Sequence, residues 1–231
     1  MELDPDWLAP PSLKAATGVQ RAMALAVEQE DRIDPVTLIA GADASMKWRD
    51  SRGPVHAAIA PLSWPDGEAP PAAGATVIPR FPYVSGYLAF REVPALRTAW
   101  ERLVTKPQLL FVDGHGRSHP RRLGIATHAG LVLDVPTVGL AKTILCGAVE
   151  GALGEAMGDH APLVDRGERV GWAVRTRPRC APVYVSGGHR VSLDTALAWA
   201  LRLLDGRRIL RPIRLAHDAA NAVRIAAAQI A

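Results

Sequence analysis

Three carboxylates, Asp43, Glu92 and Asp113, each follow an apolar or aromatic stretch, at the mouth of what reads as a core element. Asp113 also opens the densest chemical segment of the chain, Asp113-Gly114-His115-Gly116-Arg117-Ser118-His119-Pro120-Arg121-Arg122-Leu123-Gly124. Acids at strand ends suit a divalent cation held against a phosphate. Mg2+ is commonly bound by one or two carboxylates, with waters and substrate phosphate in the remaining positions. Such a site can activate water and stabilise the leaving oxygen in phosphodiester hydrolysis. Each acid also has a structural reading. Asp43 fits a solvent-facing strand aspartate, Asp113-Gly114 fits a turn, and Glu92 falls in the first turn of a helix, where the macrodipole favours an acid.

The neighbouring residues are basic, glycine-rich or aromatic. His119-Pro120-Arg121-Arg122 sets an imidazole and two guanidiniums at an expected helix N-terminus, opened by Pro120 or Arg121, where free N–H groups favour anions. A capping histidine with solvated arginines is the other reading. Gly114, Gly116 and Gly124 allow backbone to approach a flat group closely, although a plain turn accounts for any one of them. Lys142 ends the run Val138-Gly139-Leu140-Ala141, either as a fixed charge in the same site or as an ordinary strand-end lysine. In Pro82-Tyr83-Val84-Ser85-Gly86-Tyr87, the aromatic between proline and glycine suits wedging or stacking between bases, and equally suits anchoring the loop to the core.

These residues need elements to position them. With 231 residues the chain can fill one core, and one α/β domain over residues 1–231 is expected, with residues 1–11 as a flexible N-terminal segment. Ser12 caps an expected helix running to about residue 30. Residues 37–42, 55–62 and 75–79 read as three antiparallel strands in a meander, with a turn at 49–53 between the first two. Helical spacing covers 88–104, with the regular helix starting near Pro94. Residues 108–112 form a short apolar run suited to a strand buried on both faces, and 135–141 form the next. Residues 172–176 and 183–186 suit a hairpin or edge pair. Ser192 caps a helix to residue 204, and Pro212 precedes a last helix to residue 230. Meandering strands followed by alternating strands and helices predict a mixed sheet flanked by helices.

Charge is uneven. Residues 1–50 hold five Lys/Arg and nine Asp/Glu, a net −4, so the remainder carries +8 of an overall +4. A basic body suits a polyanionic partner, and an arginine-rich solvated surface accounts for it equally well. Cys146 and Cys180 lie in no metal-binding spacing and read as small core residues of a reducing compartment. The start, Met1-Glu2-Leu3-Asp4-Pro5-Asp6, is the opposite of a signal peptide. No apolar run reaches the ~20 residues that cross a bilayer. A cytoplasmic protein without membrane contact is expected, and a monomer, since no long apolar surface stripe stands out.

At this point the sequence resembles the endonuclease V family. The matching segments are residues 41–45 (GADAS), 82–92 (PYVSGYLAFRE), 110–124, 128–142 (HAGLVLDVPTVGLAK) and 211–221, whose Arg214-Leu215-Ala216-His217 is similar to the family's C-terminal block. They lie in collinear order from about residue 12 to 225, and FRE followed by DGxGxxHPRRxG and DVPTxGxAK is a specific set. The resemblance implies a ribonuclease H-like fold and a DNA-repair endonuclease that cuts the second phosphodiester bond 3′ to deoxyinosine, leaving a 3′-hydroxyl and a 5′-phosphate. It implies Mg2+, with Mn2+ as a substitute, at Asp43 and Asp113, with Glu92 and His217 completing the catalytic set and Lys142 steadying the phosphate or attacking water. It also implies a wedge at Pro82 and Tyr83, and a pocket for the flipped hypoxanthine bordered by Gly86, Leu88, Gly114 and Gly124. The partner would be inosine-containing DNA, with RNA or a single strand left open. Two positions depart from the family's usual pattern. Ser85 stands where the wedge has a second proline, and His115 where glutamine is frequent; both bear on wedge stiffness and base preference.

Two other readings belong to different classes. One is a non-catalytic nucleic-acid-binding protein that retains the fold and wedge. The other is a related nuclease that acts on a flap or junction.

Overall fold

The computed structural model describes residues 3–47, 50 and 52–230. The expected turn at 49–53 and the first two residues of the N-terminal segment therefore lie wholly or partly outside the described residues. The strands are β1 (Leu38–Ser45), β2 (Val55–Ser63), β3 (Ala73–Val77), β4 (Leu109–Asp113), β5 (Thr137–Ala141), β6 (Ala148–Val149), β7 (His160–Asp165), β8 (Glu168–Val174) and β9 (Val183–Gly187). The helices are α1 (Leu13–Leu25), α2 (Ala89–Arg102), α3 (Ile125–Leu133), α4 (Leu193–Arg202) and α5 (Arg211–Ile230). The strands form one sheet in the order β3-β2-β1-β4-β5-β9-β8-β7-β6. The first three are the expected antiparallel meander. β4 joins β1 in parallel, and β5 joins β4 in parallel. β9 then pairs antiparallel to β5 and to β8.

Strand alternation sorts the core into two layers. Ala40, Ala42, Leu110 and Val112 face α2 and α3, where Val93, Leu96, Ala126 and Ala129 are buried. Ile39, Leu109, Phe111, Val138 and Leu140 face the other way, onto α4 and the start of α5 through Ala196, Trp199, Ala200 and Ile213. The apolar runs of β4 and β5 follow from this, since helices cover both of their faces. Gly41 lets α5 approach the sheet: a Cβ there would lie 1.9 Å from the Pro212 carbonyl oxygen.

Several boundaries differ from expectation. α1 stops at Leu25 because the following stretch carries Glu28, Glu30, Asp31, Arg32 and Asp34 and offers no apolar face. Glu28 and Asp31 instead bond Arg190 and Ser192. β1 does not end before Asp43 but runs through it to Ser45. α2 begins at Ala89, so Pro94 sits inside it; the Leu88 carbonyl caps the first turn by accepting from Arg91 and Glu92 N–H. No helix opens at Pro120 or Arg121. Arg122 has φ +57°, which no right-handed helix accommodates, and α3 starts only after Gly124. β8 and β9 form the pair expected at 172–176 and 183–186, the hairpin of β7 and β8 extends it, and Pro162 inside β7 obscured its alternation. The N-terminal segment reaches the core, where His128 Nε2 is 2.6 Å from the Trp7 carbonyl oxygen.

Candidate active site

In the parallel pair of β1 and β4, Ala42 is opposite Val112. Asp43 and Asp113 are the next residues on each strand, so they stand side by side at the C-terminal ends. The crevice at that end of an open α/β sheet is where ligands bind. By alternation both acids share the side of Ile39, Phe111 and Leu140, and Lys142 falls on that side too. Glu92 joins them from the first turn of α2. All three acids line one cavity of about 380 Å³. Asp43 is only 8 % exposed. Burial, reinforced by the negative charge of Asp113, pushes its pKa up to about 6, against hydrogen bonds from His217 and Ala44 N–H. Burial and then the charges of Asp43 and Asp113 push Glu92 up to about 8. Lys142 Nζ donates to Asp113 Oδ2.

α5 brings His217 to the same place. Its Nδ1 is 2.8 Å from Asp43 Oδ2, and Asn221 Nδ2 is 3.0 Å from its Nε2. Ser45 Oγ donates to Asn221 Oδ1 at 2.8 Å, and Arg224 Nε donates to Ser45 Oγ at 2.9 Å. Asn221 and Ser45 were not foreseen as site residues. Their signal was the i,i+4 spacing of His217 and Asn221, which puts both on one helix face.

Ser85 and Gly86 of the 82–87 loop line the same cavity. Phe81 and Tyr87 anchor it: Phe81 packs 5.2 Å from the Phe90 ring, and Tyr87 Oη meets Thr17 Oγ1 at 2.7 Å. The buried Arg91 donates to the Phe81 carbonyl at 3.1 Å. Tyr83 between these anchors is 54 % exposed, and Pro82 is exposed beside it. Gly86 adopts φ +78°, a left-handed conformation that suits glycine. Its carbonyl oxygen accepts from Arg121 Nη2 at 2.8 Å, Gln20 Nε2 at 3.0 Å and His119 Nε2 at 3.1 Å. Gln20, 1 % exposed on α1, was missed because a lone glutamine in a helix carries no motif.

The arginines beside Pro120 are occupied by protein acceptors. Arg121 donates to Gln20 Oε1 and stacks 4.3 Å over the Tyr87 ring. Arg122 pairs with Asp165 at 2.7 Å and Glu168 at 2.7 Å. Burial lowers both cavity imidazoles, His115 and His119, to about 4. The four residues expected at the base pocket, Gly86, Leu88, Gly114 and Gly124, line the cavity, as does His119, expected as a nucleic-acid contact, together with Gln20, Ser85 and His115. Tyr83, Pro82, Arg121, Arg122, Lys142 and His217 are not among the residues that line it.

The donor set bears on a cation. Among the described residues, no group of three or more His, Cys, Asp and Glu side chains is arranged to hold a metal ion. Asp43 and Asp113 do form a pair, and beyond the burial that chiefly raises Asp43 and Glu92, the like charge that adds to it is what a divalent cation would offset. Two carboxylates with open positions for water and phosphate fit Mg2+.

Also among the described residues, no helix is long and apolar enough to cross a membrane. The Endonuclease V family model matches residues 21–218. An endonuclease V of Rhodospirillum centenum is 46 % identical over 223 residues, covering 96 % of this chain and 93 % of its own. The crystal structure of the endonuclease V of Streptomyces avermitilis superposes with a TM-score of 0.87 at 35 % identity, covering 97 % of this chain and 98 % of that one. That of Ciona intestinalis, in complex with DNA containing an inosine, shares the fold with a TM-score of 0.80 at 24 % identity, covering 93 % of this chain and 97 % of that one. With its carboxylates at the ends of parallel strands in a ribonuclease H-like sheet, this chain belongs to the endonuclease V family and is a nuclease.

Proposed function

We propose that this nuclease cuts the second phosphodiester bond 3′ to a deoxyinosine, leaving a 3′-hydroxyl and a 5′-phosphate, and so opens repair of deaminated adenine in the cytoplasm. The observation that carries this reading is one cavity lined both by Asp43, Glu92 and Asp113 and by Gly86, Leu88, Gly114 and Gly124. The acids suit phosphodiester chemistry, and the glycine-rich wall suits a flat base. The Ciona relative solved with inosine-containing DNA supports the same class of substrate.

Asp43 and Asp113 would hold Mg2+, or Mn2+ in its place. When bound, such a cation neutralises charge on the phosphate and favours both attack by water and departure of the leaving oxygen. The chain's own residues do the rest. His217 holds Asp43 in place through Nδ1. Lys142, beside Asp113, keeps a positive charge where a phosphate oxygen would sit. Glu92 completes the acidic set from α2. Tyr83, with Pro82, enters the stack as the base leaves it, and a mispaired base is the cheapest to unstack, so flipping contributes selectivity of its own. Arg121 and His119 act on the substrate through the Gly86 carbonyl they hold, and Arg122 through the turn it fixes to β7 and β8. The chain works as one domain and as a monomer.

The test is a strand-mapped cleavage assay with Mg2+ on matched inosine DNA and RNA. A nick one nucleotide beyond the inosine's own 3′ bond is expected on DNA, and Asp113→Ala should abolish it. Absence of cleavage of every inosine substrate, or equal cleavage of an unmodified flap, would overturn the reading.

A further inference from the structure

Two imidazoles line the cavity, and their hydrogen bonds leave them in opposite states. His119 Nε2 faces the Gly86 carbonyl oxygen, so it donates, and His119 Nδ1 accepts from Arg121 N–H at 3.2 Å. Both of its nitrogens are satisfied within the protein. His115 is held differently. Its Nδ1 lies 2.9 Å from Ser118 Oγ. Ser118 Oγ donates to Ser186 Oγ at 3.0 Å, and Ser186 Oγ also accepts from Gly116 N–H at 2.9 Å. A serine hydroxyl has one proton to give. Since Ser118 gives its proton to Ser186, it meets His115 as an acceptor. The His115 proton therefore sits on Nδ1, and the lone pair on Nε2. Ser118 and Ser186 are 1 % and 0 % exposed, so this ordering is not traded against bulk water. Among the described residues, the His115 imidazole makes no hydrogen bond besides the one to Ser118.

The cavity therefore carries an oriented acceptor with no protein donor opposite it, beside the glycines that suit a flat base. Hypoxanthine and adenine differ on the edge such an acceptor would meet. Hypoxanthine has a proton on N1 and an oxygen at position 6. Adenine has a lone pair on N1 and an amino group at position 6. We propose that His115 Nε2 accepts the N1–H of the flipped hypoxanthine and is a specificity-determining residue of the site. Adenine would set lone pair against lone pair and leave both unsatisfied. A site built to bond a substrate N–H rejects the analogue without it far more strongly than an apolar wall can. This assignment rests on the inosine reading above and adds to it the atom that recognises the base.

The experiment is a two-by-two cycle of single-turnover cleavage rates. One axis is the wild type against His115→Leu, with His115→Ala as a second removal of the acceptor and thermal melting to confirm that each variant is folded. The other is a duplex with one deoxyinosine against one with deoxynebularine, which lacks both the N1 proton and the 6-oxygen. Any contribution of the 6-oxygen is common to both proteins and cancels in the ratio of ratios. The wild-type preference for deoxyinosine is expected to shrink by about tenfold or more in His115→Leu and His115→Ala. His115→Gln, whose amide oxygen can accept, should recover part of it. An unchanged preference in the Leu and Ala variants would overturn this assignment and leave the nuclease reading standing. No cleavage of deoxyinosine by the wild type would overturn both.

Discussion

His217 Nδ1 lies 2.8 Å from Asp43 Oδ2, although 174 residues separate them in the chain. The contact is one link of a directed series. Arg224 donates to Ser45, Ser45 to the Asn221 carbonyl oxygen, and the Asn221 amide to His217 Nε2, which leaves Nδ1 to donate to the carboxylate. Partners behind a site residue fix its tautomer and orientation, and their loss commonly costs 10–100-fold in metal-site systems. Asn221→Leu should accordingly lower kcat on an inosine duplex by about tenfold with KM little changed. His217→Ala should cost more, on the order of 10²–10⁴-fold. Steady-state kinetics of the two variants side by side test the order.

The crowded acids give stability a pH dependence whose sign is fixed. Glu92 rises from 4.5 to about 8 and Asp43 from 3.8 to about 6, so the folded protein keeps protons that the unfolded chain releases. Stability then falls as pH climbs from about 4.5 to about 8 for Glu92, and over a lower window for Asp43. In EDTA at pH 8, Glu92→Gln is expected to raise Tm by a few degrees, and at pH 5 to change it little. Mg2+ should raise the wild-type Tm more at pH 8 than at pH 5, because binding to the folded state stabilises it. Melting curves at the two pH values, with and without the metal, decide both points.

Tyr83 projects from a loop pinned at Phe81, Gly86 and Tyr87. Stacking on a base is worth roughly 1–3 kcal/mol by truncation. Tyr83→Ala should weaken binding of an inosine duplex to that extent, with Tm unchanged, when binding is measured on an Asp113→Asn background that prevents cleavage. Equal binding by the two proteins would show that the ring does not enter the stack.

Arg122 is committed to Asp165 and Glu168. Arg122→Ala should therefore lower Tm, by a few degrees, while leaving the slope of log Kd against log salt unchanged. A residue that neutralises one phosphate reduces that slope by about one. Filter binding over a salt series separates the two roles.

Much of this was legible in the sequence. The apolar run of β4 ends in an acid, the residue pattern of 55–62 marks the strand β2, and Ser12 and Ser192 mark helix starts by capping; these are local properties with local physical causes. The breaks were harder. Pro94 lies inside α2 rather than at its start, and Arg122 sits outside any helix at φ +57°, paired with Asp165 and Glu168 of the β7–β8 hairpin. Those partners lie far along the chain, where the local sequence around Arg122 does not point to them.

The sequence by itself determined which groups were available: three acids, a wedge-like aromatic and a glycine-rich turn, each attached to the end of an element. Only the tertiary structure decided what they do to one another. Parallel register put Asp43 beside Asp113, and α5 returned across the sheet to set His217 on Asp43. The buried Ser118–Ser186 pair turned one of two neighbouring histidines into an open acceptor and left its neighbour, His119, bonded to Gly86. Such relations depend on register and on hydrogen-bond direction between residues far apart in the chain, and local sequence carries neither.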